Sequence, residues 1–244
     1  MGRAHEVRAA SMAKTALMKS KLYSRFGKEI YMAAKNGSTD PNSNLTLKKI
    51  IEKAKQNQVP ADVIKRNIDK AKGGQGEDYT NVRYEGFGPG GCTLIVECMT
   101  DNVNRTFGEV RSCFTKTGGK IGVTGSVTHQ YKYVSLVSFE GLNEDDVLEA
   151  LLMAEVDIQE IETDEDGVIT LQGASGDLDK IKEAVQTLNP EIAFIDDKVT
   201  YLPSEWITLD EEDQGKLRRF IQLTDDLDDV QDVFHNVDLP YEEE

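Results

Sequence analysis

The sequence predicts an α+β, multi-domain protein: an N-terminal three-helix bundle plus two ferredoxin-like α+β domains, one inserted in the other. Three observations carry this. Apolar residues recur at helical spacing as far as Ala71, then give way to short β-branched runs. Residues 134–201 read strand-helix-strand-strand-helix-strand, the ferredoxin-like order. The segments on either side of that unit are each incomplete, so the chain has to leave one domain and return to it. Its 244 residues suit this plan, since domains usually hold about 100–150.

In SKLYSRFGKEIYMAAK (20–35), Leu22, Phe26, Ile30 and Ala33 share a helix face, and Gly37 follows as a C-cap. After the polar turn STDPNSN, Asn44 is placed to cap a second helix whose stripe is Leu47, Ile50, Ile51 and Ala54. Pro60 opens a third, with Ala61, Ile64, Ile68 and Ala71 inward. GGQG (73–76) ends it. From residue 79, VRYEGF and CTLIVECMT read as strands, and Asn104 as the cap of a helix running to Lys116 with Phe107, Val110, Arg111 and Phe114 on adjoining turns. GSVTHQYKYVSLVSF (125–139) returns to strand character. NEDDVLEALLMAE and DLDKIKEAVQTL are the helices of the 134–201 unit, and DEDG (164–167) joins its middle strands as a hairpin. The closing segment supplies a helix around Leu217, Phe220 and Ile221 and a strand at 230–237. One helix and one strand are too few for a domain, so they are expected to complete the first sheet. The predicted domains are 1–76 (basic, helical), 77–133 with 203–240 (discontinuous α+β) and 134–202 (inserted).

Gly86, Gly88 and Gly91 in YEGFGPGG have the spacing of a dinucleotide loop. Such a loop needs a helix after it, whose N-terminus holds the pyrophosphate. Here a strand follows, and Pro89 removes an N–H, so the glycines read as a turn between strands. Three cysteines, Cys92, Cys98 and Cys113, lack C-x-x-C spacing and fit buried thiols in a reducing cytoplasm. His5, His129 and His235 have no second ligand at metal spacing, and no nucleophile elbow, zincin or phosphate-loop motif occurs. The acids Asp225, Asp226, Asp228 and Asp229 read as a solvated face. The expectation is therefore no enzyme, cofactor, metal or small-molecule substrate. No apolar run reaches the ~20 residues of a membrane span. The first 26 residues are basic and rich in Ala, Ser and Met, like a mitochondrial presequence, but run straight into a patterned helix and read as mature protein.

Charge is the main clue to partners. Residues 1–72 carry 16 Lys+Arg against 6 Asp+Glu, and residues 73–244 carry 12 against 38. A head of +10 thus precedes a body of −26 within a net charge of −16. A phosphate polymer would release counterions on meeting such a head and be repelled by the body. The residues expected to contact it are Arg3, Arg8, Lys14, Lys19, Lys21, Arg25 and Lys28, then Lys48 and Lys49, then Lys65 and Arg66. Tyr23 is a candidate for base stacking, with packing as its plainer use. Two plainer uses of the cations compete: solvating helix faces, and docking the head on the body's own acids.

DPNSNLTLKKIIEKAKQNQVPADVIKRNIDKAKGG (40–74), YEGFGPGGCTLIVECMTDNVNRTFGEVRSCFTKTGG (84–119) and LDDVQDVFHNVD (227–238) together resemble the YebC family. The resemblance runs through nearly the whole chain. It implies a helical N-terminal domain, two α+β domains with one inserted in the other, and nucleic-acid binding. Some members are regarded as DNA-binding transcriptional regulators. Others are ribosome-associated factors that help translation through proline-rich stretches, a mitochondrial translational activator among the family. Many members begin Gly-His-Ser-Lys-Trp, whereas residues 2–8 here are GRAHEVR and the sole Trp is Trp206. A stacking aromatic at the N-terminus therefore does not carry over, and Arg3 and His5 are the polar residues left there. The partner is then DNA or ribosomal RNA, the ribosome included, with no membrane. A protein–protein adaptor working through acidic surfaces is the alternative from another class.

Overall fold

The computed structural model describes residues 19–73 and 78–239. These divide into two compact units, one of 19–127 with 209–235 and one of 128–208 with 236–239. The architecture is α+β: a helical region followed by two four-stranded antiparallel sheets.

In the first unit, helices α1 (Lys19–Lys35), α2 (Leu45–Gln56) and α3 (Ala61–Lys72) enclose Phe26, Ile30, Ala34, Leu47, Ile51, Ala54, Val63 and Ile64. Asn44 caps α2, its Oδ1 accepting from Leu47 N–H at 3.0 Å. Its side-chain amide also donates to the carbonyls of Ala33 and Ser38, at 2.9 and 2.7 Å, so one residue ties the end of α1 to the start of α2. Two details of α3 differ from the sequence expectation. Pro60 is the cap rather than the first helical residue, because its ψ of 140° is extended; its carbonyl accepts from Val63 N–H at 3.0 Å. Ala61 is exposed, and Val63 takes its place in the core.

The first sheet has the order β3-β1-β2-β8, with β1 Thr80–Phe87, β2 Thr93–Thr100, β3 Lys120–Ile121 and β8 Val230–His235. A single 3₁₀ turn, Pro89–Gly91, joins β1 to β2. The glycines there have steric work. A Cβ on Gly86 would lie 2.6 Å from both the Phe114 ring and the Lys120 carbonyl, and Gly90 turns at φ +61°. No helix follows the turn. Helix α4 (Val103–Lys116) comes after β2, and its cap is Asn102, not Asn104: Asn102 is extended and its Oδ1 accepts from Arg105 N–H at 3.1 Å.

Residues 125–130 are not part of a strand, contrary to the strand pattern read there. The buried Glu85 carboxylate accepts from the N–H groups of Gly125 and Val127, both at 2.9 Å, and so captures donors that a ladder would need. Helix α7 (Glu211–Asp225) then sets Phe220 against Phe114 of α4, ring centroids 4.8 Å apart, and β8 pairs with β2. The closing segment thus does return to the first sheet.

In the second unit, β4 (Tyr131–Phe139), β5 (Ile158–Thr163), β6 (Ile169–Ala174) and β7 (Phe194–Pro203) form a sheet of order β5-β6-β4-β7. Helices α5 (Glu144–Met153) and α6 (Leu178–Leu188) pack their buried Val147, Leu151, Ile181 and Val185 against Val137, Phe139, Ile169 and Leu171. The β5–β6 hairpin closes through DEDG: Asp164 Oδ1 accepts from Val168 N–H at 2.9 Å and Gly167 has φ +79°. The order of elements and strands is the ferredoxin-like one read from the sequence.

Candidate nucleic-acid interface

The cations of the head fall into two groups. Lys21, Arg25 and Lys28 lie at i, i+4 and i+7 on α1 and so share a flank. That flank faces the acidic end of the first sheet. Lys21 Nζ donates to the Thr224 carbonyl at 3.1 Å and to that of Asp225, and lies 3.7 Å from the Asp225 carboxylate. These carbonyls end α7, where unpaired C=O groups and the helix dipole favour a cation. Arg25 donates to Gln231 O at 2.9 Å and Asp232 Oδ1 at 3.0 Å. Lys28 donates to Asp228 O and Asp229 Oδ1, both at 2.8 Å, and to Met99 O at 3.2 Å. The sequence reading gave these three to phosphates, with docking on the body's own acids as a plainer use; the structure shows the latter. In the folded chain they staple the head to α7 and β8.

Asp229 is the centre of that joint, its side chain 7% exposed. Besides Lys28, its carboxylate accepts from Arg105 Nη2 at 2.6 Å, Thr106 Oγ1 at 2.8 Å and Thr100 Oγ1 at 2.9 Å. Burial alone would raise this carboxyl; the donors from Lys28, Arg105, Thr106 and Thr100 outweigh it and hold Asp229 well below the usual carboxylate range. Two distinctive motifs meet here, TDNVNRT through Thr100, Arg105 and Thr106, and LDDVQDVFHNVD through Asp229. The expected solvated acidic face is therefore, at Asp229, a buried polar clasp.

The second group looks outward. Lys48, Lys49 and Lys55 on α2, and Lys65, Arg66 and Lys72 on α3, are all exposed. Lys55, Lys65 and Lys72 rim an open groove of about 300 Å³ floored by Ala61, Ile64 and Ile68; Asp69 also lines it and pairs with Lys72 at 3.1 Å. The sequence reading had not placed Lys55 and Lys72 beside Lys65; their common groove is made by the packing of α2 on α3. Lys19 opens α1, and Arg3, Arg8, Lys14 and His5 lie outside the described residues. Tyr23 packs against the head core and Tyr31 is buried, with Lys35 and Lys70 over its ring at 5.6 and 5.2 Å. Tyr23, half-buried, thus has the packing use that the sequence also offered.

The cysteines are all buried. Burial pushes the thiols of Cys92 and Cys98 up, to about 11 and about 12, so they stay protonated and poorly nucleophilic at neutral pH. Among the described residues, no group of three or more His, Cys, Asp or Glu could hold a metal ion, and no helix is long and apolar enough to cross a membrane.

A helical head clasped to an α+β sheet, with a second, ferredoxin-like unit inserted before the sheet closes, defines a specific architectural class. The family model described as "TACO1/YebC protein N-terminal domain" matches residues 3–74, and that described as "TACO1/YebC second and third domain" matches residues 79–237. The chain belongs to the TACO1/YebC family. It is 52% identical over 236 residues to a "Probable transcriptional regulatory protein" of Pseudoalteromonas atlantica, covering 97% of each chain. It is 50% identical over 239 residues to one so named from Vibrio vulnificus, covering 98% of this chain and 100% of the relative. The crystal structure of a conserved hypothetical protein, Aq1575, from Aquifex aeolicus superposes with a TM-score of 0.76 at 31% identity over 94% of both chains. Homologues named in this way support a regulatory role for the family.

Proposed function

We propose that this protein is a non-enzymatic, nucleic-acid-binding regulator of gene expression that meets DNA through the outward cations of its head. One observation carries the reading: Lys48, Lys49, Lys55, Lys65, Arg66 and Lys72 are exposed together on α2 and α3, while the rest of the chain is strongly acidic. Phosphates are drawn to that face and repelled elsewhere, which orients the molecule head-first. Arg3, Arg8, Lys14 and Lys19 extend the basic set along the sequence. The names of the relatives support transcription as the process, and buried, protonated thiols suit a reducing cytoplasm.

The test is a salt titration on duplex DNA. With about six phosphates engaged, log K falls against log salt with a slope near −5. Reversing Lys48, Lys49, Lys65 and Arg66 to Glu flattens it; an unchanged slope defeats the reading. A second reading, a translation factor on ribosomal RNA, is compatible with the make-up of the exposed set. It is mostly lysine, without a cluster of Arg, Asn and Gln for reading base edges, so it fixes position more than sequence. Co-sedimentation with ribosomes, set against gel shifts on specific and scrambled DNA, separates the two.

A further inference from the structure

The first sheet carries two helices on its surface, and their outer faces differ. Helix α7 begins with Glu211, Glu212 and Asp213. The outer stripe of α4, by contrast, runs Val103, Asn104, Phe107, Gly108, Arg111 and Thr115, all exposed and none acidic; the single acid of α4, Glu109, projects from the other side of the stripe. Helix α4 holds three of the 12 basic residues of the whole acidic body. One of them, Arg105, is committed to Asp229 and Asp101. Arg111 has no partner for its guanidinium among the described residues.

Phe107 is 41% exposed. Its inner side is held by Tyr84, ring centroids 5.9 Å apart, and Tyr84 is itself fixed by its hydroxyl donating to Val103 O at 3.3 Å. The ring is thus a braced platform and not a loose side chain. One turn on, Arg111 stands beside it. Gly108 lies mid-helix, where glycine is less favourable than alanine, yet a Cβ there would meet nothing within 4 Å. Packing inside the chain gives no reason for it, whereas a close approach from outside would. Gly215 on α7 is equally open, but it sits near Glu211 and Glu212, where a polyanion is repelled.

From this we infer that the α4 stripe is a second nucleic-acid contact, made to an unpaired segment of RNA: one base stacks on Phe107, the adjoining phosphate pairs with Arg111, and the backbone passes over Gly108. An unpaired base is required because a duplex offers no free base face. RNA is the chemistry committed to, since Asn104 and Thr115 flank the platform with groups that can meet a 2′-hydroxyl. The inference rests on the proposed function in taking the protein to be a nucleic-acid binder, but uses different residues.

The experiment measures binding of the full chain to three labelled probes: a 12-nucleotide single-stranded RNA, the same sequence as single-stranded DNA, and a 20-base-pair DNA duplex. Phe107→Ala, Arg111→Gln and Gly108→Gln are compared with the unaltered chain. Each is expected to weaken RNA binding at least about fivefold, as loss of one stacked base does, with duplex binding essentially unchanged. Gly108→Gln is the decisive variant, because a better helix former should raise the thermal midpoint while the added side chain blocks the approach. RNA binding kept by Gly108→Gln and Phe107→Ala overturns the inference, and so do equal losses on RNA and duplex. Equal losses on the two single strands overturn the assignment to RNA. Failure of the head variants to weaken duplex binding, with the stripe variants still losing RNA, would instead defeat the proposed function alone.

Discussion

Two sets of cations on one small head face opposite ways. Lys21, Arg25 and Lys28 on α1 face inward to carboxylates and helix-end carbonyls; Lys48, Lys49, Lys65 and Arg66 on α2 and α3 face water. Both sets are rich in the same residue types, and both sit on amphipathic helices. The difference lies in what the tertiary fold sets against each helix. A cation next to a buried carboxylate becomes a structural part, and its removal leaves an unpaired charge. A cation in water is screened, contributes little to stability and remains available to a polyanion. Regional charge therefore measures the attraction of a segment for phosphate only after its internal partners have been subtracted.

The comparison breaks most visibly at Asp229. Asp229→Ala removes the carboxylate that pairs with Lys28 and Arg105 and accepts from Thr100 and Thr106, and should cost about 3 kcal/mol in a denaturant titration. Phosphate binding by the outward set should survive it in the folded protein.

Next in size is the four-residue reversal of Lys48, Lys49, Lys65 and Arg66 to Glu. It should make the salt slope on duplex DNA shallower by about 3 to 4 and leave the unfolding midpoint nearly in place. If it also unfolds the head, the two sets are not separate.

A pH series sharpens the same contrast. The Asp229 carboxyl is depressed in the fold, so the unfolded chain takes up this proton first as the medium acidifies. Its contribution is present above the unfolded value of about 3.9 and is lost as pH falls through the lower folded value. Asp229→Asn should remove that part of the acid limb, as read by stability against pH, and the outward-cation variant should retain it.

The smallest effect is at Gly108. Gly108→Ala should stabilise the protein by about 1 kcal/mol, seen as a raised thermal midpoint, because nothing in the chain crowds the added methyl.

Much of the fold was legible because it is written in local periods. Phe26 and Ile30 in α1, Leu47 and Ile51 in α2, and the DEDG turn before β6 each announce their element within a few residues. The errors came where a distant group decides. Asn104 reads as the cap in the sequence, but the turn that makes Asn102 the cap is set by Thr100, which is held by Asp229, 129 residues on. Residues 125–130 have strand composition, but Glu85, 40 residues earlier, takes the N–H groups of Gly125 and Val127. Helix α1 shows its lysines plainly and says nothing of partners some 200 residues on. The α4 stripe was equally opaque: the spacing sets Phe107, Val110, Arg111 and Phe114 on adjoining turns, and only the packed structure shows that the Phe107 ring is exposed and that of Phe114 buried.

The clasp also has a consequence for how the molecule is made. Apart from Met99, the residues that grip Lys21, Arg25 and Lys28 occupy 224–232, some 200 residues after α1. A nascent chain carries those three cations without these partners until residues 224–232 have emerged. Only when β8 emerges can its acidic segment pair with them, so closing the first sheet itself trims the basicity of α1.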